Sequence, residues 1–271
     1  MKSTLRASTF GRTLRLMGMY FRFNLSAGMS YRGAFLIQVL GMMLNNSAFI
    51  VFWLILFEKI GGNLKGYDFY DIMFLWSLAA TGVGMAAVFM GNAHQISRII
   101  YSGELDVYLL QPKPIALNLV SSRMMVAAWG DIIFGLLLFF FTQAIRLDSI
   151  LLFLLFSILV ALVFTAMRVL YHSLTFYLGN AETFAGFASE MLLSFSLYPG
   201  SIFKGPAVWI LHSLVPAAFV AYLPVRLIKH FNFGLFAVLI AADLAFVAIG
   251  MLTFYRGLRV YESGNRIGTR I

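Results

Sequence analysis

Residues 34–57 read AFLIQVLGMMLNNSAFIVFWLILF, twenty-four consecutive positions without a charged side chain. As a helix rising about 1.5 Å per residue, such a stretch exceeds the roughly 30 Å hydrocarbon core of a bilayer. A soluble domain does not bury a helix that is apolar all round. The reading of the chain therefore starts from an integral membrane helix. Working outward, the runs 71–91, 121–143, 150–171 and 233–255 meet the same length requirement. A shorter run, 183–198, carries Glu190 near its middle. Six spans are expected, in an all-α integral membrane protein forming a single domain over 1–271.

Composition agrees. Of 271 residues, 61% are hydrophobic and 11% charged, against about 25% charged in a soluble domain. There is no cysteine, so thiolate metal sites, disulfides and thiol redox chemistry are excluded. The net charge of +9 is concentrated at the two ends. Lys2, Arg6, Arg12, Arg15, Arg22 and Arg32 precede the first span without an acid. Arg256, Arg259, Arg266 and Arg270 follow the last, against Glu262 alone. The stretch between them is neutral. Basic residues flanking apolar spans mark the cytoplasmic side rather than a nucleic-acid footprint, so both termini are expected inside and the number of crossings even.

The basic residues of 1–32 interrupt their apolar neighbours (Leu5, Phe10, Leu14, Leu16, Met17, Tyr20, Phe21) at roughly helical spacing. That predicts an amphipathic helix on the inner membrane surface rather than a cleaved signal. The stretch 206–223 is apolar but broken by Pro206 and Pro216, with Pro224 just beyond. Counting it as a span would make the number odd. The segment 199–232 is accordingly expected as an external re-entrant, which leaves Arg226, Lys229 and His230 outside against the charge rule. The short loops 58–70 and 144–149 are expected outside, and the longer loop 92–120 inside. Trp53, Trp76, Tyr101, Trp209, Tyr222 and Tyr255 are expected as interfacial anchors.

Enzymatic signatures are missing: no GxxxxGK[ST], HExxH or GxSxG occurs. Gly82-Val83-Gly84 falls inside an apolar run and predicts helix packing rather than a nucleotide cradle. Ala128-Trp129-Gly130-Asp131 only half matches an intramembrane aspartyl signature. No histidine spacing suggests a metal. Charged residues within spans are expensive and need a partner or a function. Arg168 with Asp131 is expected as a buried intramembrane charge pair, while Glu190 and Asp243 have no evident basic partner. Asn45 and Asn46 are expected to hydrogen bond across a helix interface.

Within the inner loop stands Gly103-Glu104-Leu105-Asp106-Val107-Tyr108-Leu109-Leu110-Gln111-Pro112. Leu105, Leu109 and Leu110 are expected on one face of a short helix, with acids at its start favoured by the helix dipole and Pro112 and Pro114 ending it. A short amphipathic helix there is either a docking element or a membrane-parallel connector. This stretch resembles the G-x-L-D-x-x-L-L-x-P signature of type-2 ABC exporter permeases, in particular small six-span bacterial permeases without an attached ATPase. Two further stretches are similar to that branch. One is Tyr198-Pro199-Gly200-Ser201-Ile202-Phe203 with Val215-Pro216-Ala217-Ala218-Phe219 and Tyr222-Leu223-Pro224, the other Gly257-Leu258-Arg259-Val260-Tyr261-Glu262-Ser263.

The resemblance implies a non-enzymatic permease of the bacterial plasma membrane. It would dimerise with a second copy or a sister permease and recruit separate ATPase subunits that use ATP and Mg, while this chain binds no cofactor. The basic N-terminal helix would contact membrane lipid and the ATPase. The stretch 99–112 would be the coupling helix, with Tyr101, Gly103, Glu104, Leu105, Asp106, Tyr108 and Leu109 transmitting ATP-driven closure. The substrate path along the dimer interface would include Asn45, Asn46 and Glu190. From the residues alone, an ion-coupled carrier using Glu190 and Asp243, or a non-transporting scaffold, stands as the alternative.

Overall fold

The computed structural model describes residues 2–142 and 146–262, with side chains from residue 11 onward. The expected contributions of Lys2, Leu5, Arg6, Phe10, Ser263, Arg266 and Arg270 lie outside the described side chains. Within the described residues the chain runs through α1 (Lys2–Gly28), α2 (Arg32–Lys59), α3 (Phe69–Phe89), α4 (Ile96–Tyr101), α5 (Leu105–Leu109), α6 (Ile115–Ser121), α7 (Ala128–Thr142), α8 (Leu147–Ser173), α9 (Thr175–Leu178), α10 (Glu182–Ser196), α11 (Pro206–His212), α12 (Leu223–Lys229) and α13 (Phe233–Val260).

Helix α3 is the central staff. Asp68 caps it by accepting from the Asp71 N–H at 2.8 Å, and Asp71 accepts from the Asp68 N–H at 3.2 Å. These reciprocal bonds satisfy donors that every helix start leaves orphaned. From Phe74 to Gly84 every residue of α3 is buried, which requires neighbours on several sides. Small residues allow them in close. A Cβ on Gly82 would lie 2.3 Å from Val160 Cγ1 of α8, and one on Gly84 would lie 3.0 Å from the Ala128 carbonyl of α7. Gly135 of α7 sits against the Ser77 carbonyl and the Thr81 hydroxyl, while Ser77 Oγ donates to the Gly135 carbonyl at 2.8 Å. Phe139 and Phe153 stack at 4.2 Å beside Phe74, sealing the α3–α7–α8 core. On the far side of α8, α13 closes through Gly250, where a Cβ would meet the Ala166 carbonyl at 2.7 Å.

Helix α2 buries only Val39, Asn46, Trp53 and Phe57, a narrow seam with largely heptad spacing. Its remaining apolar surface, including Ile37 at 73% and Leu44 at 74% exposure, has no cover. Among the described residues, four helical stretches have the length and apolarity to cross a bilayer, those ending at Lys59, Phe89, Leu178 and Val260. Helices α7 and α10, at 15 residues each, reach about 22 Å.

The expected span over 121–143 is corrected at its start, because the chain is irregular from Ser122 to Ala127. There it passes the end of α3: the Met125 N–H donates to the Ala87 carbonyl at 3.0 Å, and Gly91 admits the backbone of Arg123 and Met125. A bond to another helix replaces the intrahelical one.

The ends of α3 divide the connections into two groups. At its start, Asp71 forms a salt bridge with Lys229 of α12. The basic end of the 199–232 segment therefore shares a face with the 58–70 loop. That segment is short helices and turns (Gly200–Ile202, α11, a π-helical Ala218–Tyr222, α12) dipping inward at Val215, Ala217, Ala218 and Val220, all buried. At the other end of α3 lie the 92–120 loop, α1 and the end of α13. Tyr20 of α1 donates to Asn118, and Phe254 packs with Ile96, Leu105 and Leu119.

Candidate functional site

Where a single coupling helix is expected over 99–112, the 92–120 loop forms two of its three short helices, α4 and α5, hinged at Gly103. Its φ of +77° lies in the left-handed region, where side chains are strained, so α4 ends and α5 starts in a new direction. Leu105 is fully buried among Ile96, Ile100 and Leu119. Leu109 and Leu110 are 48% and 86% exposed. Leu105 and Leu109, one turn apart, do share a face, but the three leucines are not buried together: α5 has five residues, rooted at its start and overhanging at its end. The uncovered apolar surface comprises Tyr101, Val107, Leu109 and Leu110, with Glu104 exposed beside them.

Polar side chains hold this platform from beneath. Asn92, buried, donates to the Leu119 carbonyl at 2.9 Å and to Ser122 Oγ at 2.8 Å. Tyr108 Oη lies 3.1 Å from Ser122 Oγ and 3.4 Å from Asn92 Nδ2. Burial, and then the adjoining Asp106 carboxylate, push the Tyr261 hydroxyl up to about 12, so the loop also meets the end of α13. Helix α1 adds a third support. Lys113 donates to Tyr20 Oη at 3.0 Å and lies over its ring, Asn118 Nδ2 donates to Gln111 Oε1 at 3.1 Å, and Asn24 donates to the Ser121 carbonyl at 3.1 Å. Asn92, Asn118 and Ser122 escaped sequence reasoning. Asparagines in an otherwise apolar stretch were the available signal.

A second region lies within the helices. Asn45 and Asn46 of α2, Asp131 of α7 and Glu190 of α10 line one cavity of about 710 Å³, within the usual range for small-molecule sites. Asn46 Nδ2 donates to Asp131 Oδ1 at 2.7 Å. Gly130 permits this by letting α7 approach so closely that a Cβ there would lie 2.4 Å from the Val39 carbonyl. Aromatic rings form the rest of the wall. Phe49 and Trp76 have centroids 5.1 Å apart, and Trp53 meets Tyr198 edge-on at 5.6 Å. Trp53 and Trp76, expected as interfacial anchors, are each only 3% exposed. That expectation is corrected for both, because their rings face the cavity and core. Trp209 and Tyr255 are exposed.

The expected Asp131–Arg168 pair is likewise not formed. Asp131 is held by Asn46. Arg168 Nε and Nη1 are buried with no hydrogen-bond partner among the described residues, and the guanidinium lies 5.9 Å from the Phe164 ring centroid. The acid that acts on Arg168 electrostatically is Glu190, so Glu190 is not without a basic neighbour. The two helices carrying Asp131 and Arg168 face α3 from different sides. Asp243 is 3% exposed with both carboxylate oxygens unpartnered among the described residues, and it does not line the cavity. The two regions are therefore a supported apolar platform at one end of the bundle and an acidic, aromatic cavity within it.

No curated protein and no solved structure matches the chain. A family model described as ABC-2 family transporter protein matches residues 43–265, taking in α3, the 92–120 loop, the cavity residues Asn45, Asn46, Asp131 and Glu190, and the 199–232 segment. The chain belongs to the ABC-2 transporter family, as a type-2 ABC permease.

Proposed function

We propose that this permease is the membrane-spanning subunit of an ATP-driven exporter in a bacterial plasma membrane. It works as a dimer, with itself or a sister permease, and couples to separate ATPase subunits that bind ATP and Mg. The observation that carries this reading is the exposed apolar surface of Tyr101, Val107, Leu109 and Leu110. Its backing is fixed by Leu105, Tyr108, Asn92 and the contact of Asp106 with Tyr261. A surface that transmits force must be apolar outside, to dock, and tied inside, to pass displacement on. The ties run to α1, α6 and α13, so a push on α5 reaches several elements together.

In this reading the face bearing the 92–120 loop is cytoplasmic, along with both basic ends, and the 58–70 and 199–232 segments are external. Six crossings follow when α7 and α10 span together with their flanking turns. The uncovered face of α2 meets lipid or the second copy, and the cavity of Asn45, Asn46 and Glu190 belongs to the substrate path. Asp243 is set apart from that cavity, which disfavours an ion-coupled carrier built on Glu190 with Asp243.

The test is reconstitution with the cognate ATPase subunits. Val107→Asp with Leu110→Asp changes two exposed positions and leaves Asp106, Tyr108 and Leu105 intact. Loss of ATPase capture and of transport, in a protein that still folds, is the expected outcome. Normal stimulation of the ATPase by this variant would remove the coupling assignment.

A further inference from the structure

The chemistry of the 710 Å³ cavity is one-sided. Two carboxylates, Asp131 and Glu190, reach it from different helices, and no lysine, arginine or histidine lines it among the described residues. Asn46 engages Asp131 through Oδ1; Oδ2 has no hydrogen bond among the described residues. Glu190 is exposed to the cavity mouth. Arg168, the basic group that acts on Glu190, does not line the cavity, and its Nε and Nη1 atoms are buried. The rest of the lining is aromatic and aliphatic, with Phe49, Phe52, Trp53, Trp76 and Tyr198 giving the principal surfaces.

Charge and rings are also separated along the cavity. Asn46 and Trp53 are one heptad apart on α2, about 10 Å along its axis. Asp131 is held at the level of Asn46, and Glu190 lines the same cavity from α10. The Trp53–Tyr198 pair stands nearer the end of α2 that leads to the 58–70 loop. Aromatic faces attract cations by their quadrupole, the more so when water is excluded. Carboxylates beside them add Coulomb attraction, and an anion there would meet their repulsion with no cationic side chain in the lining, among the described residues, to offset it.

We propose that this cavity binds hydrophobic organic cations, with the positive centre between Asp131 and Glu190 and the apolar body against Trp53, Trp76 and Phe49. This names the substrate class of the path assigned above and rests on that reading only for transport, not for binding.

Two ions of nearly the same size and shape but opposite charge, tetraphenylphosphonium and tetraphenylborate, provide the test. Each is titrated into the purified chain in one detergent, following fluorescence quenching of the cavity tryptophans. Partition of each ion into detergent is common to all variants, so the comparison is between wild type and variant for each ion. Glu190→Gln alters an exposed side chain but also removes the acid that acts on Arg168, so thermal unfolding of the variant is checked alongside, and Asp131→Asn retains a partner for Asn46. Tetraphenylphosphonium is expected to bind wild type, to weaken about three- to tenfold in each single variant, and to weaken further in the double variant. Tetraphenylborate is expected to gain or stay level.

Equal loss for both ions, unchanged cation affinity in Glu190→Gln, or absence of cation binding to wild type would each overturn the proposal. Because binding is read without an ATPase, cation binding without ATP-driven transport would sink the exporter reading and leave the site standing. ATP-driven transport by a permease that ignores the cation would do the reverse.

Discussion

Asn46 and Asp131 join α2 to α7 by a single side-chain hydrogen bond of 2.7 Å. Helix α2 buries little else, so this bond is a large share of what orients it. Removing the donor strands a carboxylate in a half-buried site, while removing the charge leaves two amides that still pair. Asn46→Leu is therefore expected to destabilise the protein by about 1–3 kcal/mol, and Asp131→Asn by distinctly less. Thermal unfolding in detergent measures both. The reverse order would show that Asn46 is not what holds Asp131.

Close approach of the central helices yields a second, sharper contrast. At Gly82 the obstructing atoms closest to a Cβ belong to the Val160 side chain; at Gly135 they include the Ser77 carbonyl at 2.7 Å as well as the Thr81 hydroxyl. Overpacking costs about 1–3 kcal/mol at such sites. Gly82→Ala should be rescued in larger part by Val160→Gly, which removes both Cγ1 and the Cβ at 2.5 Å and leaves only the Ser157 carbonyl, at 3.1 Å. Gly135→Ala should be rescued poorly by Thr81→Ala, because the backbone oxygen stays. Melting temperatures of the two double variants decide it.

The salt bridge of Lys229 with Asp71 makes a topological prediction. The chain has no native cysteine, so single cysteines report cleanly. His230→Cys and Lys65→Cys should react with an impermeant reagent from one side of the membrane. Leu110→Cys, 86% exposed at the far end of α3, should react only from the other. Labelling of positions 65 and 230 from opposite sides would undo the shared face of the 58–70 and 199–232 segments, and labelling of 230 and 110 from the same side would undo the division of the connections between the two ends of α3.

What the sequence made legible follows the physics of each feature. Long, nearly charge-free runs mark α2, α3, α8 and α13 because a bilayer demands length and apolarity, both one-dimensional properties. The break at residues 122–127 was hidden, since its backbone partner at Ala87 lies in another helix and Met124, Met125 and Val126 are as apolar as the span that follows them. Pairing Arg168 with Asp131 failed for a related reason. Sequence position fixes height along a helix, but the direction a side chain faces depends on Gly130 bringing α7 against Val39. Trp53 and Trp76 look alike from sequence whether they face headgroups or a cavity. Bringing Asn45, Asn46 and Glu190 to one cavity needed three helices to be packed first.

Acid should loosen the loop end of the bundle through His94. Burial is the main cause holding its imidazole below the ordinary value of 6.5, with Arg168 and Arg123 adding repulsion, against opposing contributions from the Gly91 carbonyl and Glu182. The unfolded chain takes up a proton near 6.5 that the folded chain resists, so stability is full above that pH and falls as pH drops through it. His94→Gln, which cannot gain the proton, should show a shallower loss of melting temperature between about pH 7 and pH 5. An identical slope in both proteins would assign the acid sensitivity elsewhere.

Tyr20 is where α1 meets the loop, donating to Asn118 while accepting from Lys113, whose ammonium also rests 5.1 Å from its ring centroid. Tyr20→Phe keeps the ring for Lys113 and for packing but leaves the Asn118 carbonyl oxygen without its donor. A loss of about 0.5–1.5 kcal/mol is expected, small for the whole protein and concentrated in one place. Hydrogen exchange should quicken over residues 113–121, which Asn118 and Asn24 tie to α1, and stay unchanged in α3 and α8. Tyr20→Leu, which also removes the cation–π contact, should extend the faster exchange further along the loop toward Gln111. Equal exchange in all three proteins would mean that α1 merely lies beside the loop; a graded response would make it the strut against which the α5 platform is braced.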